Sequence, residues 1–407
     1  MPRSFSSTSS RDLTGSAPGT WLRLTALASA GATAVAVISG ATGLGAAHRV
    51  LAALALPPLV ALVVAAWLAH RRLLPSAVAA LVLFGAAAML TAEVVHVVSA
   101  ALAFAASLVL SATALRDRPT PRAAWRDYVT LMKPRIMSLL LLTGLCGMIV
   151  GGRGFPSVWL VLVTMLGLAL ACGGASALNH VLDRDIDRLM GERTRARPLA
   201  ANRMPPARAL EFGLSLSAFS FVLLASAVNV LTAALALVGN LFYVLVYTRW
   251  LKRSTPQNIV IGGAAGAVPP LVGWAAATGN LTVPALWLFL IVFFWTPPHF
   301  WALALLLREQ YAAARIPMLP VVRGTRATTL QIFLYSLVLV AITAAPFLAG
   351  TLGAGYLAAA LLLGAVFLAL AVRLRRGATP RRAAVLFHYS LVYLAVLFIA
   401  MAVDVAL

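Results

Sequence analysis

Apolar runs of about 20 residues, separated by short polar or Gly/Pro-rich connections, recur from Leu24 to the C-terminus. A run of that length crosses the bilayer core as a helix, because about 30 Å is covered at roughly 1.5 Å per residue. The pattern predicts membrane helices at 22–42, 48–69, 74–92, 95–115, 136–152, 157–178, 207–226, 229–248, 258–277, 283–303, 328–349, 354–374 and 384–404. The chain therefore reads as an all-α polytopic membrane protein with about 13 transmembrane helices.

The polar connections alternate in charge. Basic residues collect at Arg71/Arg72, at 116–135, at 184–208, at Arg249/Lys252/Arg253, at 308–326 and at 373–382, whereas the turns between carry almost none apart from Glu93 and Arg153. A multi-pass protein of a prokaryotic plasma membrane is expected, and the positive-inside rule predicts its N-terminus in the cytoplasm and its C-terminus outside. Residues 1–20 are Ser/Thr/Gly/Pro-rich and read as a disordered cytoplasmic tail. The following apolar run ends in small residues like a signal peptide, but its length and the spans after it favour a retained helix. Residues 116–135, with Pro119, Pro121 and Pro134, read as a linker that becomes an interfacial segment. It divides a four-helix module at 21–115 from a nine-helix module at 136–407.

Composition excludes a soluble protein: 62% of residues are hydrophobic, 11% are charged and the mean hydropathy is +0.94. The net charge of +21 is carried almost wholly by arginines in the connections. That placement suits anionic membrane lipid and gives no support for nucleic acid as a partner. Cys146 and Cys172 both fall inside apolar spans, so no disulfide framework is expected.

Against this background one stretch stands out. Of 11 acidic residues, Asp183, Asp185, Asp187 and Glu192 lie within 179–198, beside Arg184, Arg188, Arg193, Arg195 and Arg197. Asn179, Asp183 and Asp187 are spaced i, i+4, i+8, which on a helix puts three oxygen-bearing side chains on one face. Such a face suits Mg²⁺, a hard cation that commonly completes its shell with substrate phosphate oxygens. The arginines that follow match phosphate oxygens bidentately. A metal-bridged diphosphate site at the cytoplasmic membrane surface is the expectation. Helix caps and topological arginines are the competing account of these residues.

Asn179-xxx-Asp183-xxx-Asp187 with Arg193-Thr194-xx-Arg197-Pro198 resembles the first acidic motif of the intramembrane UbiA-type prenyltransferases. Further stretches are similar to the protoheme IX farnesyltransferase (heme O synthase) branch of that family. They are Leu131-Met132-Lys133-Pro134-Arg135, Tyr247-Thr248-xxx-Lys252-Arg253-xx-Pro256-Gln257-Asn258, Gly262-Gly263-xx-Gly266, Pro297-Pro298-His299-Phe300-Trp301-Ala302, and Tyr311 through Ile316-Pro317-Met318-Leu319-Pro320. The resemblance covers about 125 to 407. It implies a nine-helix bundle joining farnesyl diphosphate to a vinyl group of heme B with addition of water. Asn179, Asp183 and Asp187 would hold Mg²⁺, and Arg193, Arg197, Lys252 and Arg253 would bind the diphosphate. His299 would act at the porphyrin or in proton transfer, and Pro297-Pro298 should break its helix. The second acidic motif departs from the family: Gln310 stands where Asp is expected, so either Glu309 beside Tyr311 reaches the site or no second acidic ligand is needed.

In the first module, His48 and His96 would lie at matching depth and could ligate a heme. Gly43-xxxx-His48-Arg49 and Glu93-xx-His96 look like half of heme A synthase, which makes that enzyme a candidate partner. The competing account is a scaffold with interfacial histidines. Two alternatives to heme farnesylation stay open: prenylation of a hydroxybenzoate-like quinone precursor, and heme transport without catalysis.

Overall fold

A computed structural model describes residues 17–41 and 46–69, the positions Ala77, Val78, Ala80, Leu81 and Phe84, and 124–407. The chain falls into two compact units, Met1–Pro119 and Thr120–Leu407.

In the first unit α1 (Ala17–Ala41) and α2 (Ala46–Ala69) form a hairpin. Leu22, Ala26 and Ala36 pack with Leu59, Leu62 and Ala66, and with Ala77, Ala80 and Phe84. α2 carries Pro57 and Pro58 in its interior, and the Ser29 hydroxyl donates to the Pro58 carbonyl at 2.7 Å. The proposed heme-ligand positions are not reached: His96 and the side chain of His48 lie outside the described residues.

The second unit opens with α3 (Trp125–Met132), an amphipathic helix with Trp125 exposed and Leu131 buried. Lys133 follows in the left-handed conformation, and α4 (Pro134–Gly152) starts at the proline. Then come α5 (Val158–Leu182), the short α6 (Arg184–Leu189) and α7 (Glu192–Arg195), α8 (Pro206–Ala227) and α9 (Val230–Leu241). α9 runs into a π-helical segment, Phe242–Leu251, and a last turn, Lys252–Ser254. α10 (Asn258–Gly266) and α11 (Val268–Thr278) make one span, followed by α12 (Val283–Leu306), α13 (Arg308–Ala313), α14 (Leu319–Val322), α15 (Gly324–Leu348), α16 (Ala354–Arg376) and α17 (Pro380–Ala406). Among the described residues, nine helices are long and apolar enough to cross a membrane. They start and stop within a few residues of the nine runs the hydropathy pattern predicts for this module.

The bundle is closed by small residues where helices cross. A Cβ on Gly273 in α11 would collide with the Gly144 carbonyl of α4, so these two backbones touch. A Cβ on Gly262 in α10 would strike the Tyr247 ring, which stacks on Tyr243 at 5.5 Å. At the end remote from the acidic loop, Asp404 of α17 accepts from the backbone N–H groups of Gly353 at 2.5 Å and Tyr356 at 3.1 Å. It therefore caps the N-terminus of α16 from a neighbouring helix.

One expectation is corrected. α12 is not broken at Pro297-Pro298 but continues through both to Leu306. The prolines remove two amide donors, yet Trp295, Thr296, Pro297, Pro298, His299, Trp301 and Ala302 are all buried in the bundle. Packing on every side holds the helix where propensity alone would end it.

Candidate active site

α5 ends at Leu182 and α6 starts at Arg184, but the hydrogen-bond ladder does not stop between them. Asp183 N–H donates to the Asn179 carbonyl at 2.9 Å and Asp187 N–H to the Asp183 carbonyl at 2.8 Å. The i, i+4, i+8 face therefore persists across the junction. Asn179, Asp183 and Asp187 are buried, whereas Asp185 on the opposite face is exposed.

The loop after α6 is pinned by apolar contacts, with Leu199 and Met204 packing on Leu131, Ala177 and Ala209. Arg203 Nε adds a 3.1 Å ion pair to Asp127 of α3. This anchoring delivers Arg197, whose Nη1 lies 2.6 Å from Asp187 Oδ1. From the last turn, just after the π segment, Lys252 Nζ reaches Asp183 Oδ2 at 2.5 Å. Asn179 Nδ2 donates to the same Asp183 oxygen at 2.8 Å and to Thr248 Oγ1 at 3.1 Å. The Thr248 hydroxyl in turn donates to the Tyr243 carbonyl five residues back, at 2.9 Å.

The sequence reading assigned no role to Lys133. Its Nζ donates to Asn179 Oδ1 at 2.9 Å, so three cations converge on two buried carboxylates. Burial and the neighbouring Arg197 and Lys252 push the Lys133 ammonium down to about 7. Burial also raises the Asp187 carboxyl above its ordinary value, with Arg197 pulling it down and Asp183 adding to the rise. Among the described residues, His180, beside Asn179, is buried with neither ring nitrogen partnered, and the buried Asn258 amide is likewise without a partner.

The donor set fits Mg²⁺. Asp183 Oδ1 is buried without a hydrogen-bond partner among the described residues, and the second carboxylate lies on the same face. Among the described residues no cluster of three His, Cys, Asp or Glu side chains could hold a metal. A cation here would use Asp183, Asp187 and the Asn179 oxygen, with substrate or water oxygens for the rest, which is the ordinary habit of Mg²⁺.

The remaining candidates separate from this cluster. Arg253 holds exposed Asp185 in a bidentate pair at 2.8 Å and 2.8 Å and also reaches the Leu182 carbonyl at 2.7 Å. Its guanidinium keeps the Asp185 carboxyl at about 2. Arg193 is exposed. Glu309 is exposed and borders an open cavity of about 240 Å³ with Arg195, Gly191 and Gln310. Gln310 lies over Gly191, where a Cβ would meet its amide at 2.8 Å. Tyr311 faces the fields of Lys252, Arg197 and Asp183, and burial raises its hydroxyl. His299 is set apart, sandwiched between Trp295 at 4.3 Å and Phe387 at 4.7 Å. Its Nδ1 lies 2.7 Å from the Ser390 hydroxyl.

The model of the UbiA prenyltransferase family matches residues 140–400. The chain belongs to that family. Over 292 residues it is 55% identical to the protoheme IX farnesyltransferase of Symbiobacterium thermophilum, covering 71% of this chain and 97% of that one. It is 51% identical over 295 residues to protoheme IX farnesyltransferase 1 of Pseudomonas fluorescens, covering 72% and 97%. The protoheme IX farnesyltransferase of Thermus thermophilus is 51% identical over 287 residues, and the chain spans only 47% of its length. Among solved structures, a digeranylgeranylglyceryl phosphate synthase matches with a TM-score of 0.58 at 17% identity, covering 69% of this chain and 98% of that one. A UbiA homolog from Archaeoglobus fulgidus, bound to DMAPP and Mg²⁺, matches with a TM-score of 0.52 at 19% identity, covering 68% and 99%. These likenesses give this UbiA-family chain its fold: a multi-pass helical membrane bundle.

Proposed function

We propose that this chain transfers the farnesyl group of farnesyl diphosphate to a vinyl group of heme B, with addition of water, giving heme O and diphosphate. The observation that carries the diphosphate half is the pair of buried carboxylates ringed by Lys133, Lys252 and Arg197, with Asp183 Oδ1 left unpartnered. Arg197 and Lys252 balance the two carboxylates, and Lys133, charged below about pH 7, leaves the pocket short of negative charge, which a diphosphate supplies. The identity of the acceptor rests on the relatives, which over most of this module share about half of its residues and carry the protoheme IX farnesyltransferase name.

Asn179, Asp183 and Asp187 would hold Mg²⁺, which when bound lowers the charge on the departing diphosphate. Lys133, Lys252 and Arg197 orient the same oxygens, and Thr248 fixes the Asn179 amide. Departure of the diphosphate leaves an allylic cation that the terminal vinyl carbon of heme attacks; the positive charge passes to the neighbouring carbon, which takes water, and the proton that water loses goes to the released diphosphate. The apolar bundle keeps other water from the cation until then. Arg253 and Arg193 serve the outer rim, and Glu309 with Tyr311 borders the entrance. His299 lies seven residues before the end of α12, about 10 Å along the axis, and the Ser390 contact fixes its ring for a part at the porphyrin or in proton transfer. By the positive-inside pattern the cluster lies on the cytoplasmic side.

The test is Asp183→Asn in the purified full chain, with heme O measured by chromatography and mass spectrometry. A loss of at least about 100-fold in kcat is expected from removing one electrostatic anchor of the leaving group, and heme O formation at the wild-type rate would refute the proposal. Prenylated hydroxybenzoate without heme O would transfer the assignment to quinone-precursor prenylation.

A further inference from the structure

A second cavity of about 280 Å³ opens at the same end of the bundle as the carboxylate cluster. Gln257 and Pro256 border it just after Lys252–Arg253, Trp301 borders it from the last turns of α12, and Arg323, Gln331 and Tyr335 border it from the start of α15. Every polar group on that border can donate a hydrogen bond, and none is acidic.

Two observations call for an acceptor. Trp301 is 2% exposed, and its indole N–H, which can only donate, has no partner among the described residues. The Arg323 guanidinium makes no ion pair among the described residues, although it stands at the N-terminus of a 25-residue helix, where the backbone also attracts anions. The other wall is aromatic and apolar, with Leu319 buried and Tyr335 edge-on to Trp301 at 5.3 Å. The volume is too small for a whole tetrapyrrole or lipid and suits a charged end group whose apolar body continues into the bilayer.

We propose that this cavity is an anion subsite, separate from the Asp183 cluster, that takes the oxyanion end of a membrane-borne amphiphile through Arg323, Gln331 and the Trp301 N–H. Two molecules present that chemistry: the tetrapyrrole acceptor through a propionate carboxylate, and an anionic phospholipid through its phosphate. The first source rests on the proposed acceptor; the second does not.

The experiment uses the full chain in nanodiscs and compares wild type with Arg323→Gln and Gln331→Leu, both near the surface and outside the diphosphate cluster. One arm measures KM for heme B and for its dimethyl ester, which lacks free carboxylates. The other measures, by native mass spectrometry, retention of phosphatidylglycerol against phosphatidylcholine. If the propionate binds here, wild type prefers heme over the ester by about tenfold, as a charge-assisted hydrogen bond would give. Both variants then lose that preference while KM for farnesyl diphosphate stays unchanged. If the phosphate binds here, the variants release phosphatidylglycerol selectively and heme KM does not move. Unchanged ester discrimination together with unchanged lipid retention overturns the subsite. Failure of the heme assignment itself would show differently, as no heme O from wild type, and the lipid arm would still report on the cavity.

Discussion

Lys133 offers the sharpest test of the charge balance at the site. Its ammonium is held down to about 7 by burial and by Arg197 and Lys252, so it is charged below about pH 7 and neutral above it. A diphosphate in the pocket adds negative charge and favours the ammonium, so binding takes up a proton when the pH is above 7. Affinity should therefore be flat below pH 7 and fall above it, by up to about tenfold per pH unit. The fall should level off once the whole interaction is lost. A hydrogen bond from a charged donor contributes about 1.5–3 kcal/mol, so the plateau comes after roughly one to two units. Titration calorimetry with a non-transferable thiolo analogue of farnesyl diphosphate, from pH 6 to 9, measures this directly. Lys133→Arg keeps the charge at every pH and should abolish the fall, while ionisation of the ligand affects both proteins alike. Superimposable profiles for wild type and Lys133→Arg would refute the reasoning.

Asp185→Asn should leave heme O formation within about twofold of wild type and change stability by less than about 1 kcal/mol, because the Arg253 pair is 32% and 60% exposed; kinetics and thermal melts beside Asp183→Asn make the contrast. Thr248→Val should lower kcat with little change in heme KM, since it takes the Thr248 oxygen away from the Asn179 amide, a loss of about 1–3 kcal/mol, read by steady-state kinetics. Asp404→Ala should lower stability by about 1 kcal/mol, seen as a reduced Tm, and leave KM for both substrates unchanged because it lies at the far end of the bundle. Gly262→Ala should cost roughly 1–3 kcal/mol by driving a methyl into the Tyr247 ring, again read as Tm.

The nine spans of the second unit were legible because lipid-facing helices need little besides apolar length. The face shared by Asn179, Asp183 and Asp187 was legible because helical spacing is local arithmetic, and it survived even the change from α5 to α6. Lys133 was not legible as a site residue. It meets Asn179 across 46 positions through a left-handed turn just ahead of Pro134, and nothing in its own surroundings announces that partner. The continuous α12 was misread because the rule that proline ends a helix omits packing from all sides. Gln310 was weighed as a missing ligand, whereas its neighbour is Gly191 of the loop after α6, a long-range fit that spacing does not reveal. Nor does the sequence distinguish the π segment from an α-helix, since its polar positions, Thr248 and Arg249, are adjacent and show no period.

That π segment is a reservoir of chain length. A π turn holds an extra residue, one that in a regular α-helix would turn everything beyond it by about 100°; the wider turn takes up that rotation, so the stretch ahead of Lys252 carries a spare residue and Lys252 still reaches Asp183. Removing one apolar residue between Tyr243 and Thr248 can therefore close the wide turn to an α-helix with Lys252 left on the same side. Among related sequences the count of residues between Asn229 and Lys252 is thus free to differ by one where the pairing of Lys252 with Asp183 is not.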